Sequence, residues 1–524
     1  LEMISAKLLV LAVCATLILC RDVDVMTHFG VDSDPVQCEI YGPVLDNTDT
    51  GIVYTYSIDA LNHLVYSLMP LLEANLLKFT IPDFTGTVNL GAANVTFDIS
   101  DFYFTDVSLG DFVITPMPES QWIQAAISNT DLDIQFDWAY SQIEWPFVSD
   151  SGSGTGTIDK VAGVTILSQY YYDECGVFQL NLEEFSFDLG DISIHLDGGA
   201  SWLYNLVVNV FIDVIQDLFA DQLDQVLAVT LRDFINDKIV NGKRLECPSA
   251  DGEVMQDMRY TSVANIGTDF VSLHTSDYFY PKDEANTLDY SFRPVDAEKP
   301  DLLSSEDSQV VVDRAVFESL YAAYQTQGLI GGHIDHDTVI PSYQNMLTTN
   351  QLAAIAPELY AAYGPNQPIS LAMRAGLEPQ VSILPSAAYL NVTGTVDVFV
   401  GGSVPEEGEA DLSLVMSYGL AGLPTTRTEQ QTDFALYMFP YFQASLFNTT
   451  SYVSPSSKYP CDTESPMFMQ LAMMLGGLGV APYMTEFTSE HPPIVNVSPF
   501  FDYDNPTIIL GGSYIYYGAV TMDV

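Results

Sequence analysis

The stretch of residues 201–240 constrains this chain more than any other, because its apolar side chains recur three and four positions apart. That spacing predicts a single long helix, with Ser201 as its N-cap and Asn241 and Gly242 at its end. At 1.5 Å per residue the helix would be roughly 60 Å long. A row of aspartates along one side excludes a membrane span, since a central Asp costs about 2.5 kcal/mol or more. The apolar face is wider than a coiled-coil seam, so we expect another large apolar surface to cover it.

The charge of the chain is strongly one-sided, with 69 Asp and Glu against 16 Lys and Arg and a net charge of −53. Because phosphate binding requires a basic patch, we exclude nucleic acid as a partner. With 524 residues, of which 48% are hydrophobic, the chain is long enough for about two or three domains with cores of their own.

The first residues predict export from the cytoplasm. One lysine, Lys7, precedes an unbroken apolar run that ends near Cys20. This pattern is typical of a secretory signal peptide, which we place at residues 1–22; a signal anchor is the alternative. No later stretch reads as a membrane span, so we expect a secreted protein or one in the lumen of the secretory pathway.

Cysteines and glycosylation sequons agree with that compartment. Four cysteines outside the signal peptide would allow two disulfides in three pairings, and these are Cys38, Cys175, Cys247 and Cys461. The Asn-x-Ser/Thr sequons, which we predict to be glycosylated, are at Asn94, Asn391, Asn448 and Asn496.

The first half of the chain reads as one apolar helix among strands. A short strand at residues 51–56 precedes a helical pattern that includes Leu61 and continues to about residue 79. Residues 132–140 alternate, with apolar side chains on one face and aspartates on the other, as in a strand with one buried side. We interpret the glycine-rich segment Ser149–Asp159 as a turn or a flexible tip, and residues 179–196 as further strands.

The second half repeats this plan after a polar connector over residues 247–308. Its pattern predicts helices at residues 316–327, 350–363 and 466–484, with strands at 380–400, at 410–418 and near the end. Antiparallel strands with a few very apolar helices in each half indicate an α+β fold built twice.

Five stretches, in this order, resemble the family of bactericidal/permeability-increasing protein, lipopolysaccharide-binding protein and the plasma lipid-transfer proteins. They are GIVYTYSIDALNHLVYSL with LKFTIPDFTG, Cys175 with the later Gly-Ala-Ser-Trp at 199–202, VVVDRAVFESLYAAYQTQGLIGGHI, PQVSILPSAAYLNVTGTVDVFV, and DNPTIILGGSYIYYG. The matches are spread over most of residues 45–524.

The resemblance implies an elongated boomerang of two antiparallel β-barrels joined by a central sheet, each with an apolar pocket for phospholipid acyl chains. The N-terminal barrel would span residues 23–250 and the C-terminal barrel 309–524, with connector and central-sheet segments at 251–308. We expect the N-terminal pocket to be lined by Leu61, Leu64, Leu68, Leu72, Trp202, Leu206, Val210, Phe211, Val214 and Leu218. We expect the C-terminal pocket to be lined by Phe317, Tyr321, Leu352, Ile355, Met467 and Leu471.

Two departures from the family matter. Bactericidal members carry basic residues near the N-terminal tip, whereas residues 129–150 contain no Lys or Arg and five acidic residues. The family's disulfide ties the strand of Cys175 to the long helix, but the corresponding helix position falls near Asp224. Cys247 is the substitute that we expect, which leaves Cys38 paired with Cys461 or both free.

Catalytic and metal motifs are missing from the sequence. It has no GxSxG, so the serine-lipase nucleophile elbow is absent. In GGHIDHD, His333, Asp335 and Asp337 would share one strand face, which we interpret as a solvated strand end and not as a metal site. We expect no metal and no cofactor.

The resulting hypothesis is a secreted, non-catalytic protein that binds or transfers phospholipid or another acyl lipid, with transient contact with membranes or lipid particles, and acts as a monomer. The alternative is an innate-immunity-type binder of microbial surface lipids such as lipopolysaccharide, which the acidic tip disfavours because anionic lipid would be repelled. A third hypothesis, an esterase, lacks a nucleophile motif.

Overall fold

The computed structural model describes residues 50–197, 246–281 and 306–519, apart from short gaps inside each range, together with the single helical residue Ile212. The predicted signal peptide, Cys38, Cys175 and all of the predicted long helix except Ile212 therefore lie outside the described residues. Among the described residues, no helix is both long enough and apolar enough to span a membrane.

The first half begins as the sequence predicts. Strand β1 (Ile52–Ser57) runs directly into helix α1 (Ile58–Leu76), and Oγ of Ser57 accepts the N–H of Ala60 at 3.0 Å. This bond satisfies a donor that the first turn of a helix leaves without an intrahelical partner.

An eight-stranded antiparallel sheet follows, and we call it the N-terminal sheet. Its core order is β2-β4-β6-β7-β8, with β3 beside β4, β5 beside β6 and β9 beside β7. The strands are β2 (Thr80–Ile81), β3 (Phe84–Asn89), β4 (Asn94–Ser108), β5 (Asp111–Met117), β6 (Trp122–Gln142), β7 (Ser149–Tyr172), β8 (Val177–Asp188) and β9 (Asp191–Leu196).

The alternation predicted for residues 132–140 is confirmed in β6. Its apolar residues are buried and its aspartates are exposed. The buried rings form an aromatic layer inside the sheet, where Trp138 stacks on Tyr140 at 6.0 Å between centroids and Phe136 on Phe102 at 5.8 Å.

The interpretation of Ser149–Asp159 as a turn or flexible tip is wrong, because these residues form the first half of β7. Gly152, Gly154 and Gly156 pair across the ladder with three large residues of β6. At Gly154 an added Cβ would lie 2.5 Å from the ring of Phe136. Glycine at every second position therefore makes room for the aromatic layer, and this outweighs its low strand propensity.

The connector region contributes strands of its own: β10 (Glu246–Pro248), β11 (Val254–Asp257), β12 (Asn265–Ile266), β13 (Phe270–Thr275), β14 (Tyr278–Pro281) and β15 (Ser308–Asp313). β10, β11 and β14 form a small three-stranded sheet. Beside it, Arg259 and Asp257 form a buried ion pair, and Gln256 donates to the buried carboxylate of Asp277 at 2.8 Å.

The second half alternates between helices and strands. The helices are α2 (Arg314–Thr326), α3 (Thr349–Leu352), α4 (Pro357–Tyr363), α5 (Pro466–Leu475) and α6 (Ala481–Glu490). The strands are β16 (Gly331–Ile334), β17 (Ile369–Ala375), β18 (Gln380–Leu384), β19 (Ala387–Val400), β20 (Leu412–Thr432), β21 (Ala435–Val453), β22 (Val495–Val497), β23 (Thr507–Leu510) and β24 (Tyr514–Ala519).

The predicted helix at 350–363 is divided into α3 and α4. The pattern at 466–484 covers α5 and the start of α6, with residues 476–479 outside the described residues. The predicted helix at 316–327 is confirmed as α2, whose N-cap Asp313 accepts the N–H of Ala315 at 2.9 Å.

The seven strands β16 to β22 form the C-terminal sheet, in the order β16-β17-β19-β20-β21-β22 with β18 beside β19. A six-stranded central sheet, ordered β12-β13-β1-β15-β24-β23, joins the two halves. In it, Tyr54 of β1 pairs with Leu273 on one side and Val310 on the other. The two-sheet α+β plan with a central sheet is therefore present.

Candidate functional site

The residues predicted to line the N-terminal pocket are only partly described. Leu61 is buried against the core, 1% exposed, on the first turns of α1. Leu64, Leu68 and Leu72 lie on the same helix, but their side chains are outside what the structure describes. The predicted residues of the long helix, from Trp202 to Leu218, are outside it as well. An N-terminal lipid pocket therefore stays a prediction.

The residues predicted for the C-terminal pocket are described, and most of them belong to the hydrophobic core. Phe317 and Tyr321 of α2 are buried, and the ring of Phe317 packs 4.9 Å from that of Phe442 in β21. Leu352 of α3 and Ile355 just after it are also buried. In α5, Leu471 is half-buried and Met467 is exposed. Their role in lipid binding stays a prediction.

An apolar cavity lies elsewhere in the second half, between the inner face of the C-terminal sheet and helix α6. Its volume is about 40 Å³, and none of the six predicted residues lines it. Its floor is formed by inward side chains of β17, β19 and β20, and the helix side by Val480, Tyr483 and Met484. The floor includes Met373, Val396, Met416 and Tyr418.

The strand pattern explains this apolar floor. Met416 and Tyr418 are two apart on β20, and Val396 of β19 pairs with Met373 of β17, so all four point to one face. Gly332 of β16 lies opposite Tyr483, where an added Cβ would meet the ring at 3.8 Å. The absence of a side chain at Gly332 thus leaves the space that the cavity occupies.

Polar atoms in the cavity bond to the protein itself. The Tyr418 hydroxyl donates to Sδ of Met416 at 3.0 Å, and burial raises the pKa of Tyr418 above its ordinary value. The Tyr483 hydroxyl accepts the N–H of Gly331 at 3.1 Å. Since these hydroxyls have partners, the site offers a ligand mainly apolar contact. The one charged residue that lines it, Arg374, is exposed to solvent.

The cavity residues Gly332, Val480, Tyr483 and Met484 are not among those that the sequence predicted. The period-two pattern over residues 392–396 and 416–418 could have indicated the sheet face. Nothing local indicates that α6 covers it, because the helix and the strands that it contacts are far apart in sequence.

Two of the four cysteines predicted to form disulfides are described. Cys461 has no disulfide partner among the described residues, and burial, with a smaller contribution from Asp462, raises the pKa of its thiol to about 12. Cys247 lies in β10.

Among the sequons, Asn391 and Asn448 are exposed on the C-terminal sheet, Asn94 begins β4 and Asn496 lies in β22.

Side chains of the GGHIDHD segment form hydrogen bonds within the protein. His336 bonds to Asp337 at 3.0 Å, and Asp335 accepts the N–H of Val404 at 2.8 Å. In the described part of the chain, no three His, Cys, Asp or Glu side chains are arranged to hold a metal ion.

Comparison with known proteins identifies the family. The model of the LBP / BPI / CETP family, N-terminal domain, matches residues 60–237, and the C-terminal-domain model of the same family matches residues 256–417. Together they match well over half of the chain. This chain belongs to the LBP/BPI/CETP family. The predicted resemblance is confirmed, and with it the α+β fold class of two sheets joined by a central one.

Curated members of the family are distant relatives. A BPI/LBP family protein of Arabidopsis thaliana is 26% identical over 346 residues, which is 65% of this chain and 66% of the relative. The lipopolysaccharide-binding protein of Homo sapiens is 20% identical over 369 residues, 67% of this chain and 71% of the relative. The aligned part thus spans about two thirds of each relative.

A solved structure agrees in fold. The crystal structure of lipopolysaccharide binding protein covers 91% of this chain and 100% of its own, with a TM-score of 0.51 at 14% identity. At that identity the likeness concerns the fold alone.

Proposed function

We propose that this protein is a secreted, non-catalytic lipid-binding or lipid-transfer protein that holds acyl chains of phospholipid or a similar lipid in apolar pockets, one in each half. Membership of the LBP/BPI/CETP family supports lipid binding. The single observation that carries the proposal is the apolar cavity between the C-terminal sheet and α6.

The energetics explain why a lipid carrier needs such a cavity. At ~0.8 kcal/mol per buried CH₂, a lipid with roughly 30 methylenes gives up about 25 kcal/mol of apolar contact when it leaves a bilayer. Only an interior as apolar as the bilayer returns that energy. The present cavity of about 40 Å³ is much smaller than ligand pockets of about 300–1,000 Å³. Loading therefore requires the sheet and the helix to separate.

Lipid loading tests the proposal. Purified full-length protein is incubated with phosphatidylcholine vesicles that contain a pyrene-labelled phosphatidylcholine, and the moles of lipid bound per mole of protein are measured after separation. We expect stoichiometric uptake. Gly332→Val should lower the stoichiometry because its branched side chain enters the cavity. Gly332→Ala is the matched control, since its Cβ would make only ordinary contact with Tyr483 at 3.8 Å. No uptake by the unaltered protein would refute the proposal.

The alternative function, binding of microbial surface lipid, comes from relatives named lipopolysaccharide-binding protein and bactericidal permeability-increasing protein. The outer face of β6 argues against it here, because Asp131, Asp133 and Asp137 are exposed and residues 129–150 contain no Lys or Arg. Saturable binding of lipopolysaccharide that weakens as salt increases would favour the alternative. We expect weak binding that salt strengthens, because salt screens the repulsion between like charges.

We also propose that the protein acts as a monomer, is N-glycosylated and contacts membranes only transiently. Asn391 and Asn448 are exposed on either side of Gly419, to which both pair, so glycans there would cover the outer face of the C-terminal sheet. A mass decrease on treatment of the secreted protein with a glycosidase tests glycosylation, and light scattering after size-exclusion chromatography tests the monomer.

A further inference from the structure

Among the described strands, the C-terminal sheet ends in two edges, β16 and the β21–β22 side. β16 has only β17 as a strand partner among the described residues. At the other side of the sheet, β22 pairs only with residues 436–438 of β21. The outer edge of β21 beyond Met438 therefore presents backbone N–H and C=O groups that need other partners.

Helix α6 supplies those partners at both edges. On the β21 side, Oγ1 of Thr485 accepts the N–H of Ala444 at 2.9 Å, and Oγ1 of Thr488 donates to the carbonyl of Phe442 at 3.0 Å. On the β16 side, the Tyr483 hydroxyl accepts the N–H of Gly331 at 3.1 Å. One helix thus joins the two edges that would otherwise leave the curved sheet open.

The same helix lies between the cavity and a groove on the β21 side. Val480, Tyr483 and Met484 line the cavity, while Ala481 and Thr485 line a solvent-open groove of about 640 Å³ against β21. At 3.6 residues per turn these two sets lie on different sides of the helix, with their centres roughly 125° apart. A single helix is therefore the wall between the groove and the cavity.

The contacts on the β21 side are of a kind that can open at low cost. Thr485 Oγ1 also lies 3.0 Å from the carbonyl of Ala481, and Thr488 Oγ1 lies 3.2 Å from the carbonyl of Thr485, both within α6. If the helix leaves the strand, each hydroxyl retains an acceptor in its own helix. The strand N–H and C=O groups would then face the groove, where water can bond to them.

We propose that α6 is the gate of the C-terminal lipid site. It moves away from β21 to admit or release an acyl chain through the groove, and the threonine contacts form again when the chain has passed. This inference rests on the proposed function, and it adds the route and the element that controls exchange.

A reversible cross-link tests the gate. In full-length protein with Ala444→Cys and Thr485→Cys, oxidation joins α6 to β21, and peptide mapping without reductant identifies the bond. Uptake of pyrene-labelled phosphatidylcholine from vesicles is then followed in time. The difference in lipid uptake between the unaltered protein and Gly332→Val is taken as the uptake by the C-terminal site. We expect this uptake to be lost in the oxidised protein and restored by reductant. Protein that is loaded before oxidation should retain its lipid.

A second variant tests the gate without a cross-link. Thr485→Val removes the hydroxyl that holds Ala444, so lipid exchange should become about tenfold faster, and Thr485→Ser should restore the original rate. Thr326→Val is the matched control, because Thr326 is exposed on α2 and its hydroxyl bonds to the helix carbonyl of Ala322 at 2.9 Å. Its exchange rate should not change.

The outcomes separate the two proposals. If the unaltered protein takes up no lipid, the proposed function fails. If the unaltered protein takes up lipid, but the oxidised variant loads as fast as the reduced one and Thr485→Val exchanges no faster than Thr326→Val, the gate alone is refuted.

Discussion

The ring of Phe136 lies across strand β7 at Gly154, its cross-strand partner, so that an added Cβ would be 2.5 Å from Cζ. Phe136 is 1% exposed and stacks on Phe102 at an angle of 13°. The ring therefore has no free space into which it can move. The glycine is required by a packing contact and not by a turn.

Gly154→Ala should for this reason destabilise the protein. Overpacking of a buried ring costs about 1–3 kcal/mol, which denaturant unfolding monitored by circular dichroism would measure. Thr155→Ala is the control on the same strand, since Thr155 is exposed and its replacement should cost less. Equal stability of the two variants would contradict the account of the glycine stripe.

The buried carboxyl of Asp277 should make stability depend on pH. Burial raises its pKa from 3.8 to about 7, opposed by hydrogen bonds from Thr275 and Gln256 and assisted by the charge of Asp257. Because the pKa is higher in the folded protein than in the unfolded chain, the protonated carboxyl makes its full contribution to stability below about pH 4. That contribution is lost as the pH rises through about 7.

Asp277→Asn should remove that dependence. We compare the free energy of unfolding of the variant with that of the unaltered protein. The variant's value minus that of the unaltered protein should be larger at pH 8 than at pH 4, by on the order of 4 kcal/mol. Asn also suits the backbone here, where φ is 54°. Chemical unfolding at both pH values measures the change. A difference that is the same at both would show that Asp277 has an ordinary pKa.

The Arg259–Asp257 ion pair predicts a large loss on removal of one partner. The side chains are 9% and 1% exposed, so Arg259→Met would leave a buried carboxylate without its cation. We expect a loss of about 3–5 kcal/mol. Arg374→Met is the control, because Arg374 is exposed, and its loss should be within about 0.5 kcal/mol. Similar losses for both variants would contradict this prediction.

The sequence predicted those parts of the fold that depend on local periodicity. The alternation from Leu132 to Tyr140 and the helical spacing of α2 each describe one element with one buried face, and both are confirmed. The family resemblance then supplied how these elements are arranged.

The parts that were missed depend on distant partners. Glycine has low intrinsic strand propensity, so the assignment of residues 149–159 was decided by rings on β6 that a local pattern does not contain. Likewise, Thr485 and Thr488 lie beyond the predicted helix at 466–484, and their contacts with Ala444 and Phe442 become visible only when α6 is docked. The cavity was missed for the same reason, because its wall is formed by that docked helix.

Native mass spectrometry of the protein as purified from its secretion medium tests the central claim most directly. If the protein shelters acyl chains, the spectrum should show complexes heavier than the protein by the mass of a phospholipid or another acyl lipid, and these complexes should dissociate to free protein on collisional activation. Protein that carries no lipid, and that remains free after incubation with phosphatidylcholine vesicles, would contradict the account.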